Sequence, residues 1–345
     1  MRIPHWIVVL AIPAVIASPA VIASAASLRV SLPPMFGAVP VALGVAWGTF
    51  QEEGVEVELV PLPSGRDRVL AFQAGQIDVL VTDLTSAIML VAARPDEAVI
   101  AGSAFTPAPG ARHLVMLTPV SYSRITCWED FVAQVRGNPR LQIAIPRQSD
   151  LEFAVDQLLR SYNLVVSPDA YIGQDNLLVN ATWTLFGMVS VGVFPQPYVD
   201  YLLHYEFEGK PPLAILTDFG GVTIPPEVIV VHRRVLRDRP EVVAGFFRGF
   251  RRAVVKLNAT PREALVATAM PLALELFFPG ADPAEGKPEF KARVDAAIAA
   301  ITIPVFPEPA TVDPDSFARV AEWAAQKGYL RAPVQYGTAT IAPPG

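Results

Sequence analysis

The sequence predicts an α/β protein of two doubly wound lobes joined by a hinge that the chain crosses twice, and three observations carry that expectation. Apolar runs of strand length alternate with segments of helical periodicity over most of the chain, the pattern of a parallel sheet with helices on both faces. One device occurs twice: the near-continuous apolar run 77–81 leads into Thr82-Asp83-Leu84-Thr85-Ser86, and the run 189–193 leads into Phe194-Pro195-Gln196-Pro197-Tyr198. Finally, 345 residues with 52% hydrophobic and 17% charged side chains suffice to bury two compact cores.

Taken in order, residues 1–26 have the features of an export signal. Arg2 precedes an apolar stretch over 6–22, and the small residues Ala23-Ser24-Ala25 place cleavage near Ala25 or Ala26. Pro13 and Pro19 interrupt that stretch and its flanks are weakly charged, so an uncleaved membrane anchor is the alternative. Lobe one, assigned to 27–118 plus 222–331, opens with a strand at 28–32. A helix follows, with Val39, Leu43, Ala46 and Phe50 as a stripe facing the sheet. A second strand spans 55–60. Ser64 then caps a helix, with Asp67 three residues on reaching back, and Gly75 closes it. Lobe two, assigned to 119–221, holds strands at 141–145, 189–193 and 213–216. Arg147-Gln148-Ser149-Asp150 caps its most amphipathic helix, in which Leu151, Ala154, Val155, Leu158, Leu159 and Tyr162 repeat at helical spacing. The strand 227–231 returns to lobe one and leads to a helix at Pro240 capped by Asp238 and Glu241. Pro261 and Pro314 each occupy the first turn of a later helix. The two crossings fall near 117–121 and 217–224, and 332–345 is expected to be a loose tail.

The order of the first lobe also carries a resemblance. Leu28-Arg29-Val30-Ser31-Leu32, the helix ending in Phe50-Gln51-Glu52-Glu53-Gly54, the strand Val55-Glu56-Val57-Glu58-Leu59-Val60 and then Gly75-Gln76-Ile77-Asp78-Val79 resemble the nitrate/sulfonate/taurine/thiamine-precursor binding family of ABC importers. The resemblance covers most of the chain after the export signal. It implies the type II periplasmic-binding-protein fold, a small-molecule ligand in an interlobe cleft, a membrane permease as partner, no cofactor and a monomeric, exported protein. One position departs from the family. Relatives usually place an acidic residue after the glycine that precedes the second-lobe strand, whereas Gly187-Met188-Val189-Ser190-Val191 puts Ser190 there, which weakens transfer of ligand contacts in lobe two.

Composition and motifs narrow the function further. A net charge of −6 argues against nucleic acid, which needs clustered Lys and Arg. Arg248, Arg251 and Arg252 fall on one helix among phenylalanines and read as a solvated face. The single cysteine, Cys127, excludes an N-terminal lipoprotein thiol and an intramolecular disulfide, and reads as a small buried or half-buried residue. His5, His113, His204 and His232 are isolated, without metal or triad spacing, and Gly-rich phosphate loops are absent, so neither catalysis nor a metal site is expected. The enzymes of the same fold remain the alternative class. The pyrimidine synthase of thiamine biosynthesis uses a cysteine-rich motif that this sequence lacks, and the menaquinone-pathway relatives are cytoplasmic. A membrane-tethered sensor domain is the third reading.

In open α/β sheets ligands bind beyond the carboxyl ends of strands, where helix N-termini present free N–H groups. That rule selects the loops carrying Phe36, Ser64, Arg66, Thr82, Asp83, Thr85, Ser149, Phe194 and Tyr198 as ligand-binding candidates. Ser64 and Asp67 serve equally as caps. Arg66 is either a clamp for carboxylate, sulfonate or phosphate or a solvated side chain. Capping accounts for one of Thr82, Asp83 and Thr85, which leaves the others for ligand. Phe36, Phe194 and Tyr198 offer flat surfaces for stacking. An acidic protein gives anions no long-range steering, which favours a neutral heteroaromatic such as a thiamine pyrimidine precursor. Local donors can still hold a sulfonate or nitrate.

Overall fold

The structure, a computed structural model, describes residues 26–62, 64–121, 123–138, 140–206, 212–278 and 288–345. The export signal expected over residues 1–26 lies outside them except for Ala26. Along the chain, β1 (Ala26–Ser31), α1 (Val39–Trp47), β2 (Val55–Leu59), α2 (Gly65–Gln73), β3 (Val79–Asp83), α3 (Leu84–Ala93) and β4 (Ala98–Phe105) build the first lobe. The second lobe follows with β5 (Leu114–Pro119), α4 (Trp128–Gly137), β6 (Ile143–Ala144), α5 (Asp150–Ser161), β7 (Tyr171–Ile172), α6 (Leu177–Leu185), β8 (Val191–Pro195), α7 (Tyr198–His204) and β9 (Leu213–Thr217). The chain then returns through β10 (Glu227–His232), α8 (Arg233–Asp238), α9 (Pro240–Ala259), α10 (Arg262–Leu276), α11 (Pro288–Ala299), α12 (Pro314–Gln326) and α13 (Tyr336–Ala339).

Two five-stranded sheets result, in the orders β2-β1-β3-β10-β4 and β7-β6-β8-β5-β9. In each, four strands run in one direction and the strand arriving from the other lobe is inserted antiparallel to them: β10 between β3 and β4, β5 between β8 and β9. β5 pairs with β8, so it belongs to the second sheet and the first crossing lies at 106–113 rather than 117–121. The second crossing lies at 218–226. β3 and β10 are buried on both faces, as their unbroken apolar runs require, and each fully buried Val, Leu or Ile there contributes about 1.5–3 kcal/mol.

Several local expectations meet tertiary competition. The stripe of α1 does not run to Phe50: the helix ends at Trp47, Gly48 turns left-handed at φ 75°, and Ala46 is exposed. The buried face is instead 40–44, because α9 packs against this helix. Phe50 stacks on Phe246 of α9 at 5.2 Å, and Gly249 admits it, since a Cβ there would lie 2.6 Å from the Phe50 ring. The α9 N-cap is Arg239, without a side-chain cap bond, so Asp238 and Glu241 do not cap it; Asp238 pairs with Arg237 at 2.9 Å. Arg248 and Arg252 are not merely solvated: they bind Glu53 at 2.6 and 2.5 Å. Cys127 is exposed. The C-terminal segment is not loose either. Ile341 N donates to Ile100 O at 2.9 Å, and Tyr336 Oη donates to Val312 O at 2.6 Å.

α12 joins the lobes. Phe317, Val320, Trp323 and Ala324 share a core with Leu84, Ile88 and Val91 of α3. From the same helix and its exit, Trp323 Nε1 donates to Asp156 of α5 at 2.8 Å, and Lys327 pairs with Glu152 at 2.9 Å and Asp156 at 3.0 Å. Tyr329 donates to Glu152 at 2.8 Å.

Candidate functional site

The carboxyl ends of β1, β3, β6 and β8 converge on a cleft of two adjoining chambers. The larger, about 560 Å³, is lined by Pro33 to Met35, the first turn of α2, Thr82, Asp83, Ser86, residues 146–149, Asp175 and Leu177. The smaller, about 420 Å³, is mostly apolar, with Leu32, Leu62, Leu272, Leu276, Phe277 and Tyr198 in its wall. Pro34, Arg68, Asp175 and Leu177 border both. Volumes of this order suit a small-molecule ligand.

α2 presents its N-terminus to the cleft. Ser64 Oγ accepts the Asp67 N–H at 3.1 Å and donates to Asp67 Oδ2 at 2.8 Å, so the carboxylate takes the cap's own hydroxyl proton. The next turn carries Arg68, which lies on the face of Ala71 and Phe72, three and four residues on, and is therefore buried with them at 9% exposure. Its Nη1 donates to Leu62 O at a long 3.4 Å, and its buried Nε has no partner. Burial pulls the guanidinium below its ordinary pKa, with Asp175 and Asp83 as the nearest compensating charges. A guanidinium remains charged, so a buried one with an unpaired donor is a strong anion attractor.

Three carboxyl groups crowd the lobe interface. Asp83 caps α3, its Oδ1 accepting the Ser86 N–H at 2.9 Å, while Oδ2 has a 3.4 Å contact from the Thr82 hydroxyl. Asp150, the first residue of α5 in the other lobe, accepts from Leu84 N at 3.1 Å, Thr85 N at 2.9 Å and Thr85 Oγ1 at 2.6 Å, so the N-terminus of α3 is closed by a side chain from across the cleft. Glu227, opposite Asp83 in the β3–β10 register, accepts the Gly37 N–H at 2.5 Å. Burial raises all three, and repulsion from neighbouring carboxylates adds to it for Asp150 and Glu227, which are each pushed up to about 8.

No family model matches the sequence, and no curated protein sequence does. Solved structures do match in shape. The alkanesulfonate-binding protein SsuA from Xanthomonas axonopodis pv. citri, bound to MOPS, is similar at 15% identity over 92% of this chain and 98% of that one, with a TM-score of 0.65. The ligand-binding component of an ABC-type import system from Staphylococcus aureus, with zinc bound, matches at 12% identity over 92% and 97%, with a TM-score of 0.66. A Candida albicans gene product described as having the generic periplasmic binding protein fold matches at 12% identity over 92% and 97%, with a TM-score of 0.60. The chain has the periplasmic binding protein fold.

On that fold the sequence-selected residues separate. Arg66, Thr82, Asp83 and Ser149 line the larger chamber and Tyr198 the smaller. Ser149 is committed to its helix, accepting Glu152 N at 3.4 Å and donating to Pro146 O at 2.7 Å, and the Tyr198 hydroxyl is spent on Phe277 O at 2.9 Å. Ser64 is a cap, and Thr85, fully buried, is bound to Asp150. Phe36 and Phe194 are core residues rather than stacking platforms. Phe36 packs edge-on against Phe105 at 5.6 Å and Phe306 at 5.9 Å in a separate apolar cavity of about 70 Å³, and Phe194 is fully buried. Arg68 and Asp150 lie on the selected loops without having been named as ligand residues, and Asp175 and Glu227 lie outside them. Arg68 had a readable signal, because its spacing to Ala71 and Phe72 puts a cation on the buried face. Among the described residues no group of three metal-ligating side chains occurs, and no helix is long and apolar enough to cross a membrane.

Proposed function

We propose that this protein captures a small molecule bearing an acidic group, of the sulfonate or carboxylate kind, in the interlobe cleft and presents it to an ABC-type import permease without making or breaking a bond. The observation that carries this reading is Arg68: a nine-tenths buried guanidinium with an unpartnered Nε, standing where the two chambers meet. An anion at that point gains charge-assisted hydrogen bonds in a site from which most water is excluded. The likeness of fold to sulfonate-binding proteins points the same way. A neutral heteroaromatic finds less support, because the three aromatic side chains it would stack on, Phe36, Phe194 and Tyr198, are all buried in the core. A donor group opposite the ligand's acid would meet Asp83, so aminosulfonates and amino acids fall within the same class. Export to the periplasm follows from this role.

Calorimetric titration against alkanesulfonates, taurine, nitrate, small carboxylates, aminopyrimidines and flavins tests the reading. Acidic ligands are expected to bind, and Arg68→Gln to weaken them by roughly ten- to a hundredfold at unchanged fold. Tight binding of an aminopyrimidine that is indifferent to Arg68→Gln would overturn it.

A further inference from the structure

Asp175 belongs to the loop between β7 and α6 of the second lobe, yet its Oδ2 accepts the Arg66 N–H at 3.3 Å, in the first turn of α2 in the first lobe. Arg68 reaches the same place: its Nη2 and Asp175 Oδ2 both lie 3.5 Å from the point where a Cβ on Gly65 would sit. A carboxylate from across the cleft therefore occupies the N-terminal N–H and faces the guanidinium, the donor set an acidic ligand would need. Asp175 makes neither a hydrogen bond nor an ion pair with Arg68 itself, whose Nε stays unpartnered.

We propose that Asp175 is a built-in competitor for the anion subsite, a stand-in carboxylate that an incoming acidic ligand must displace, and so a specificity-determining residue of the cleft. The inference rests on the reading of Arg68 as the anion-binding group. Because Asp175 repels a second negative charge a few ångströms away, it sets a threshold that weak monovalent anions do not cross. It also favours ligands whose acid is accompanied by a donor able to take over the aspartate's oxygens.

The test is Asp175→Asn, which keeps the side chain's shape and removes its charge, titrated with ethanesulfonate and nitrate at low salt beside wild type and Arg68→Gln. Ethanesulfonate affinity is expected to rise by roughly five- to thirtyfold, the scale of one charge at about 4 Å in surroundings between bulk water and a protein surface. The rise should shrink as salt is added. Unchanged or weaker binding in Asp175→Asn while Arg68→Gln abolishes it would overturn the competitor role and leave the anion site standing. Indifference to Arg68→Gln would sink both. Failure of the probes to bind any of the three proteins likewise counts against both.

Discussion

Glu227 is 3% exposed at the start of β10, with one oxygen on the Gly37 amide at 2.5 Å and Oε1 unpartnered. Its folded pKa of about 8 stands well above the ordinary glutamate value of 4.5, so the native state holds a proton that the unfolded chain has released. Stability from this group is therefore full below about pH 4.5 and is lost as pH rises through about 8, at up to about 1.4 kcal/mol per pH unit. Asp150 acts in the same sense, while His113, held down at about 4 by burial, acts oppositely below pH 6.5. Above pH 6.5 only the carboxyl groups of these three count. Urea titrations should show stability falling from pH 6.5 to 8.5 in wild type and falling less in Glu227→Gln; equal slopes would refute a protonated Glu227. Such residues were poorly legible in the sequence, where Glu227 is one polar letter opening an apolar run. What raises it is burial by elements far away in the chain; the Gly37 N–H, 190 positions away, favours the carboxylate and only partly offsets that burial. Arg68 was legible in principle, because helical spacing alone put its charge on the buried face.

Helix caps were the part of the fold best read from sequence. Ser64, Asp83 and Ser149 each accept an N–H three residues on, and that interaction is local enough to be fixed by spacing. Ser64→Ala is expected to cost about 1 kcal/mol in thermal or urea unfolding while anion affinity changes less than threefold, because Arg68 keeps its place in the next turn. An affinity loss equal to that of Arg68→Gln would instead make the Ser64 hydroxyl a ligand contact. Where elements compete for one another, spacing fails. The stripe of α1 was displaced by α9, and the aromatic residues Phe36 and Phe194 lie on segments whose loop-like sequence hides full burial. The lobe boundary expected after residue 118 cuts through β5, whose antiparallel pairing with β8 and β9 sets it in the second sheet.

At the scale of the whole molecule, the lobes are tied at three places around the cleft: Asp150 on the N-terminus of α3, Asp175 on that of α2, and the Lys327–Glu152–Asp156 cluster linking α12 to α5. The two-lobe architecture was legible because alternating strands and helices leave few other solutions, and the inserted strands β5 and β10 follow from a chain that crosses twice. The cleft's chemistry was less so, since it depends on which side chains from separate lobes meet. Of these ties only Asp175 acts on Arg68, and it forms no hydrogen bond with the guanidinium, which leaves the cation available to an acidic ligand at the chamber junction. The most direct measurement is a crystal structure of the protein with the tightest-binding anion from the titration panel. The ligand's acidic oxygens are expected within hydrogen-bonding distance of the Arg68 guanidinium and the first-turn N–H groups of α2, with Asp175 moved off Arg66 N. A ligand bound in the apolar cavity beside Phe36, or one in the cleft that leaves Arg68 uncontacted, would contradict the account.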